Sequence, residues 1–428
     1  MIYIIMLVVF VLGYLAIALE HPIKVDKAAS ALIIGAAGWG IFAFSGFETH
    51  YISEELKHHL VDVSEILFFL LGAMTIVELI DAHEGFAIIT DKIVTRNRVK
   101  LMWILCVLTF FFSAILDNLT TSIVMAALIS KLIKNKEDLW MFAGMIIISA
   151  NAGGAWSPIG DVTTIMLWIG GQITAANIIT SIIVPSIVCM IIPLLYVSFR
   201  MKGELAPISM NDNESLHAQK TTSFERNFIF ILGVLGLLFV PIFKTVTHLP
   251  PYVGILFSLG VIWFATEILH RNKKQEQKSS LTVIGVIKKV DMATIFFFLG
   301  ILLAVASLQS MGHLDDMAKF LDNSFDGNIY AINIIIGLLS SIVDNVPLVA
   351  GAMGMYEIGL GDFAVDGTFW EFLAYCAGTG GSVLIIGSAA GVAVMGILKI
   401  DFIWYLKRIS FLALMGYAAG AITYIFMQ

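Results

Sequence analysis

Apolar residues fall in long runs along this chain, and many of the runs could form the roughly 20-residue helix that crosses a bilayer. The first, at 2–19, has no basic segment before it and no small-residue cleavage site after it, so it is expected to be a retained helix and not a signal peptide. Helices are predicted at 28–46 and 64–80, then a charged, amphipathic, interfacial segment at 82–99. The next two runs, 101–116 and 119–133, hold 16 and 15 residues on either side of Asp117-Asn118, each marginal for a span. With basic residues at both outer ends they predict a re-entrant hairpin with a polar tip. The helix at 139–169 is interrupted by Asn151-Ala-Gly-Gly-Ala-Trp-Ser-Pro-Ile-Gly-Asp161, whose glycines and proline cannot hold regular helix. A long helix at 173–199, a polar linker at 200–226, helices at 227–243 and 251–269 and a second polar linker at 270–289 follow.

From 291 the pattern repeats. Phe68-Phe-Leu-Leu-Gly72 is echoed by Phe297-Phe-Leu-Gly300. Leu116-Asp-Asn-Leu119 matches Val343-Asp-Asn-Val346, Gly153-Gly154 matches Gly380-Gly381, and Gly160 matches Gly387, all at an offset of 227 residues. The expected fold is therefore an all-α polytopic membrane protein with two repeats, each holding a re-entrant hairpin and a glycine-broken transmembrane helix. Residues 1–63 form N-terminal scaffold helices and 64–199 the first repeat. Residues 200–290 carry linkers and connecting helices, and 291–428 the second repeat, with its hairpin at 328–356, its broken helix at 369–400 and a final helix at 402–427.

Flanking charges orient the halves. Lys92, Arg96, Arg98, Lys100, Lys131, Lys134 and Lys136 put the entry of the first hairpin in the cytoplasm, whereas the second is flanked by Asp315, Asp316, Asp322, Asp326, Glu357, Asp362, Asp366 and Glu371 with only Lys319 opposing. Arg271, Lys273, Lys274 and Lys278 place 270–289 in the cytoplasm, and Glu48, Glu54, Glu55 and Asp62 place 47–63 outside. The repeats are thus expected to have inverted topology, the architecture of a secondary transporter.

Composition narrows the class further. With 59% hydrophobic and 13% charged residues, the chain departs from the roughly 25% charged of a soluble protein, which excludes disorder and a water-soluble enzyme. A net charge of −7 leaves no basic surface suited to nucleic acid. Cys106, Cys189 and Cys376 lie far apart in apolar stretches, as small core residues do.

Charge at membrane depth costs at least about 2.5–3.5 kcal/mol, so Asp117, Asp161 and Asp344 are functional candidates by default. Around them lie Ser113, Asn118, Asn151, Thr163 and Thr164 in the first half, and Ser340, Asn345, Thr379 and Ser382 in the second. Carboxylates, amides, hydroxyls and unwound carbonyls are the ligands that Na+ or Li+ prefers. No Arg or Lys lies in either tip or break, against an anionic substrate held by a cationic clamp. Asp-Asn tips could also merely cap helices, and the paired glycines could serve packing alone. Gly35-Ala-Ala-Gly-Trp-Gly40 reads as a small-residue packing face. His58, His59 and His83 sit near helix ends as solvated or capping residues or as pH sensors, and Glu65 could line an access path.

The runs DNLTTSIVMAALIS at 117–130, NAGGAWSPIGDVTT at 151–164, DNVPLVAGAMGM at 344–355 and GTGGS at 378–382 resemble those of the NhaD-type sodium/proton antiporters, over nearly the whole chain. These belong to the ion transporter superfamily, with the arsenite permeases and the divalent-anion/sodium symporters. The resemblance implies a homodimer in a bacterial cytoplasmic membrane, in which a transport domain moves against a scaffold. It places polar transport residues at Ser113, Asp117, Asn118, Asn151, Asp161, Thr163 and Thr164, and at Ser340, Asp344, Asn345, Thr379 and Ser382, with His58 and Glu65 as weaker matches. The chain starts abruptly at its first helix, so an additional N-terminal helix of family members is expected to be absent.

The expected function is exchange of Na+ or Li+ for H+, the cation and protons competing for the carboxylates, with Na+ held at Asp117 and Asp161 and no cofactor. Ser388 stands where Asp161 has its repeat partner, which places the centre of the site nearer the first half. The alternatives are a sodium-coupled anion symporter or arsenite-type permease of the same fold, and a membrane-embedded hydrolase, for which inverted repeats are not required.

Overall fold

The computed structural model describes residues 1–90, 93, 95–205, 221–273, 278 and 280–428. Lys92 and Lys274, on which part of the charge argument rests, lie outside the described residues, as does 206–220 of the first polar linker. The described chain is helical throughout, with an isolated bridge between Asn97 and Glu204 as its only strand-like pairing. In order the main helices are α1 (Ile2–Ala18), α2 (Lys27–Phe42), α3 (Thr49–Ala82), α4 (Arg98–Leu116), α5 (Asn118–Leu132), α6 (Lys136–Ala155), α7 (Val162–Ile169), α8 (Ala175–Arg200) and α9 (Ser223–Thr247). They continue as α10 (Pro251–Leu269), α11 (Met292–Ser310), α12 (His313–Phe325), α13 (Ile329–Leu339), α14 (Asn345–Met355), α15 (Thr368–Gly380), α16 (Ala389–Leu398), α17 (Phe402–Arg408) and α18 (Ser410–Met427). Among the described residues seven helices, α3, α4, α8, α9, α10, α11 and α18, are long and apolar enough to cross a membrane. This is a polytopic helical membrane protein.

Three segments differ from the sequence expectation. The stretch at 47–63 belongs largely to α3, whose 34 residues reach roughly 51 Å and project past the bilayer core. Pairs one turn apart support its polar end, Lys57 with Glu54 at 2.8 Å and His58 with Asp62 at 3.8 Å. Between α3 and α4 the described helix in 82–99 is one turn, Ala87–Thr90, and the chain at Arg96 and Arg98 bonds to Leu205 and Gly203. The final helix is interrupted at Ile409, which packs into the room left by Gly144 on α6. Its first piece, α17, turns 118° from α16 after the left-handed Lys399.

Glycines let backbones touch where apolar side chains would hold them apart. On α2 a Cβ at Gly35 would lie 2.5 Å from the Gly300 carbonyl of α11, so the small face of α2 packs directly on that helix. The same contacts recur at the 227-residue offset. A Cβ at Gly153 would meet the Phe110 carbonyl at 2.2 Å, and one at Gly380 the Gly337 carbonyl at 1.9 Å. Ser113 donates to the Ala150 carbonyl at 2.6 Å and Ser340 to that of Ala377 at 3.0 Å. Asp161 and Ser388, the N-caps of α7 and α16, have φ/ψ of −145°/146° and −142°/149°.

The start of α6, at Asp138, shares a cavity with the Arg200 end of α8. Glu371, in the first turn of α15, accepts hydrogen bonds from Asn177 and Ser181 at the other end of α8, and from Tyr424 at 2.6 Å. The corresponding helices of the two halves therefore begin at opposite ends of α8.

Beyond the ends of α3 and α10, His83 and His270 are buried with their Nε2 atoms 2.8 Å apart. His83 Nδ1 is 2.7 Å from the Leu79 carbonyl, to which it donates, so its Nε2 accepts from His270 when both rings are neutral. His270 Nδ1 then faces the Glu225 carboxylate at 3.7 Å, and Lys273 holds the far oxygen of Glu225 at 2.8 Å. Burial, with His83 beside it, pushes His270 down to about 4, and burial lowers His83 as well. Below the ordinary histidine value of 6.5 the unfolded chain takes up protons that the folded pair refuses, so stability is lost as pH falls from about 6.5 toward 4. Thermal unfolding in detergent is expected to show a smaller drop across that window for His270→Gln than for the wild type; equal drops would contradict the neutral pair.

Candidate functional site

Asp161 sits between the two pieces of the first broken helix, 1% exposed, and its side chain caps α7. One oxygen accepts from the Thr163 amide at 3.0 Å, the Thr163 hydroxyl at 2.9 Å and Asn345 at 3.5 Å. The other accepts from Asn118 at 2.6 Å. Asn118 is the first residue of α5 and Asn345 the first of α14, so both polar tips reach one carboxylate. Asn118 also donates to Asn151 at 3.1 Å, and Asn151 donates to Ser382 at 2.9 Å and Ser388 at 3.0 Å. Every donor to Asp161 is neutral. The N-terminus of α7, aimed at it, supplies partial positive charge.

Asp117 has φ/ψ of 81°/158°, a region almost confined to glycine, so the backbone at this tip is strained and must be held by the contacts around it. It accepts from the Thr120 amide at 2.7 Å and the Thr120 hydroxyl at 2.9 Å. Asp344 instead pairs with Lys27 of α2 at 3.1 Å, and the Lys27 ammonium also lies 4.2 Å from the Phe297 ring centre. A cavity of about 30 Å³ brings the three carboxylates together, lined by Asp117, Asn118, Asp161, Asp344 and Asn345 with Thr294 and Phe298. It has room for an ion or a water molecule.

A family model described as Citrate transporter matches residues 5–370. The chain is 44% identical to Sodium/proton antiporter 1 of Arabidopsis thaliana, over 98% of this chain and 72% of that one. It is 42% identical to Sodium/proton antiporter 2 of the same plant, over 98% of each chain. With the Na(+)/H(+) antiporter NhaD of Vibrio cholerae it shares 29% identity, over 99% of this chain and 91% of the relative. The chain belongs to the NhaD-type sodium/proton antiporter family.

In this NhaD-type chain the residues singled out in the sequence divide by where their polar atoms go. Asn118, Asn151, Asp161, Thr163, Asn345 and Ser382 form one connected network. The hydroxyls of Ser113 and Ser340 bond across to the carbonyls of Ala150 and Ala377 beside the helix breaks, while those of Thr164 and Thr379 return to the nearby carbonyls of Asp161 and Tyr375. His58 and Glu65 lie away from the carboxylates, on a separate cavity of about 360 Å³.

Lys27 is the residue that sequence reasoning missed. It precedes Asp344 by 317 residues and reads locally as the polar flank of a helix. Both partners are largely buried, at 21% and 12% side-chain exposure, so removing one strands the other. Asp344→Asn is expected to destabilise the protein by up to about 3–5 kcal/mol, and Lys27→Gln in the same chain to restore more than half of that. Thermal unfolding of the two single variants and the double variant checks the pairing; a double variant no more stable than Asp344→Asn alone would refute it.

Proposed function

We propose that this protein exchanges Na+ or Li+ for H+ across a membrane, with the cation and protons taking turns on Asp161 and Asp117. The observation that carries this reading is a buried carboxylate, Asp161, to which only neutral amides and hydroxyls donate. Such a group can be neutralised by a hard cation or by a proton, and by only one of them at a time. The Thr163 hydroxyl, 2.9 Å from Asp161, and the amide oxygens of Asn118 and Asn151 in the same network are the neutral ligands we assign to that cation. The relatives' names, sodium/proton antiporter in both plants and bacteria, support the same cargo.

Alternating access is the motion we assign to it. The carboxylate cavity shares Leu119, Thr294 and Ala389 with a cavity of about 220 Å³ that also holds Asp291, at the end of α11 next to the basic linker. It shares no lining residue with the cavity of His58 and Glu65, at the acidic end of α3. With basic loops inward, the shared lining supports a route from the site toward the cytoplasm, with His58 and Glu65 on the outer route. The recurring contacts, and the opposite ends at which α6 and α15 begin, support two inverted repeats, with α4–α5 and α13–α14 as the re-entrant hairpins. A homodimer in a bacterial cytoplasmic membrane, with no cofactor, completes the reading.

The Citrate transporter description of the matching family favours an anionic cargo instead. Against it stand the three carboxylates in the cavity and the engagement of Lys27, its nearest cation, with Asp344. Proteoliposomes decide between the two. Added Na+ or Li+ is expected to dissipate an imposed pH gradient, and Asp161→Asn to lower that flux at least tenfold, toward the level of empty liposomes, without loss of protein from the membrane. Labelled citrate uptake with no cation-dependent proton flux, or near-normal flux in Asp161→Asn, would overturn the proposal.

A further inference from the structure

A cavity of about 530 Å³ lies apart from the carboxylates. It lies where α4 and α6 begin, α8 ends, and α17 hands over to α18. Arg98, Arg200, Lys202, Lys407 and Arg408 line it, against only two carboxylates, Glu137 and Asp138. Arg98 is engaged by Asp138 and donates to the Lys202 carbonyl at 3.2 Å, yet its Nε is buried with no partner. The Arg200 guanidinium lies over the Tyr196 ring, 4.6 Å from its centre. Among the described residues no carboxylate pairs with Arg200, Lys202, Lys407 or Arg408.

We propose that this cavity is a binding site for a phosphate group. Guanidinium and ammonium donors converging on a concave site leave a positive charge that an acceptor-rich dianion or monoanion satisfies, and planar guanidinium matches phosphate oxygens two at a time. Its place in the fold favours a phospholipid headgroup as the source. Two helices long and apolar enough to cross a membrane, α8 and α18, and the hairpin helix α4 have an end at the cavity, which favours a place at the bilayer boundary. The exposed Phe199 and Phe411 beside it offer apolar surface for acyl chains. The clustered basic residues place that boundary on the cytoplasmic side, where anionic lipid headgroups meet basic pockets between helices. A soluble phosphate ester would use the same donors without the apolar flank.

Native mass spectrometry and thermal unfolding of the purified full chain in detergent test the site, with cardiolipin, phosphatidylglycerol and phosphatidylcholine in one set of arms and inorganic phosphate and ATP in the other. Cardiolipin or phosphatidylglycerol is expected to bind and raise the unfolding temperature, phosphatidylcholine to do neither, and the Lys407→Gln/Arg408→Gln double variant to weaken the anionic lipid at least tenfold. Arg200→Gln, which touches only the rim, is expected to weaken it in the same direction and serves if the double variant does not fold. Binding of phosphate or ATP with the same dependence on these residues, without a lipid effect, would keep the site and assign it to a soluble ester. Equal binding of anionic and zwitterionic lipid with no effect of phosphate or ATP, or variants that bind as the wild type does, would overturn the proposal.

Discussion

A carboxylate held away from water is costly unless something offsets the lost hydration, and Asp161 is the point where this chain meets that cost. Among the described residues no cation bonds to it. Its support is the N-terminus of α7, one backbone amide, one hydroxyl and two asparagine amides. Each of these requires a helix to stop or start inside the protein: α6 must end before α7 begins, and α5 and α14 must start in the interior with their first residues facing Asp161. Broken helices in a membrane expose backbone groups that water cannot reach, so the breaks must be closed by protein. That need accounts for the hydroxyl-to-carbonyl bonds of Ser113 and Ser340 and for the glycines that let carbonyls come within touching distance.

The two halves solve the same closure problem with the same contacts and differ where charge is concerned. Asp161 has Ser388 in its place in the second half, and both cap a helix with nearly the same backbone angles. Asp117 and Asp344 both cap the helix that follows, but Asp344 is tied to Lys27 across to α2, while Asp117 turns back on Thr120. The fold is thus repeated while the uncompensated charge lies in one half, with the second half supplying Asn345, Ser382 and Ser388 to its neighbourhood. An ion pair joins α2 to α14, a contact that any sliding of one helix against the other must strain or break.

Much of this was legible because polar residues and paired glycines inside apolar runs have few structural uses. The tips at Asp117 and Asp344 and the breaks near Gly153 and Gly380 stand out in the sequence for that reason. What could not be read is which way a side chain turns. A serine or threonine in a membrane helix can face a carboxylate or return its hydroxyl to its own backbone, and Thr379 takes the second course while Thr163 takes the first. Lys27 with Asp344 and His83 with His270 are pairs made only by tertiary packing, across 317 and 187 residues. The outer half of α3 was hidden because a polar helix running past the bilayer has no apolar run to mark it.

Exchange of this kind requires a cation and protons to compete for the same buried carboxylates. By linkage, if protons weaken cation binding then the cation must expel protons, whatever the kinetics of transport. Adding NaCl to the purified protein in weakly buffered detergent, with choline chloride as the control for ionic strength, and recording the pH reads this directly. Proton release that saturates with Na+, shrinks as the starting pH is raised and is lost in Asp161→Asn is the result expected. Saturable Na+ binding with no proton release at any pH would contradict the shared site.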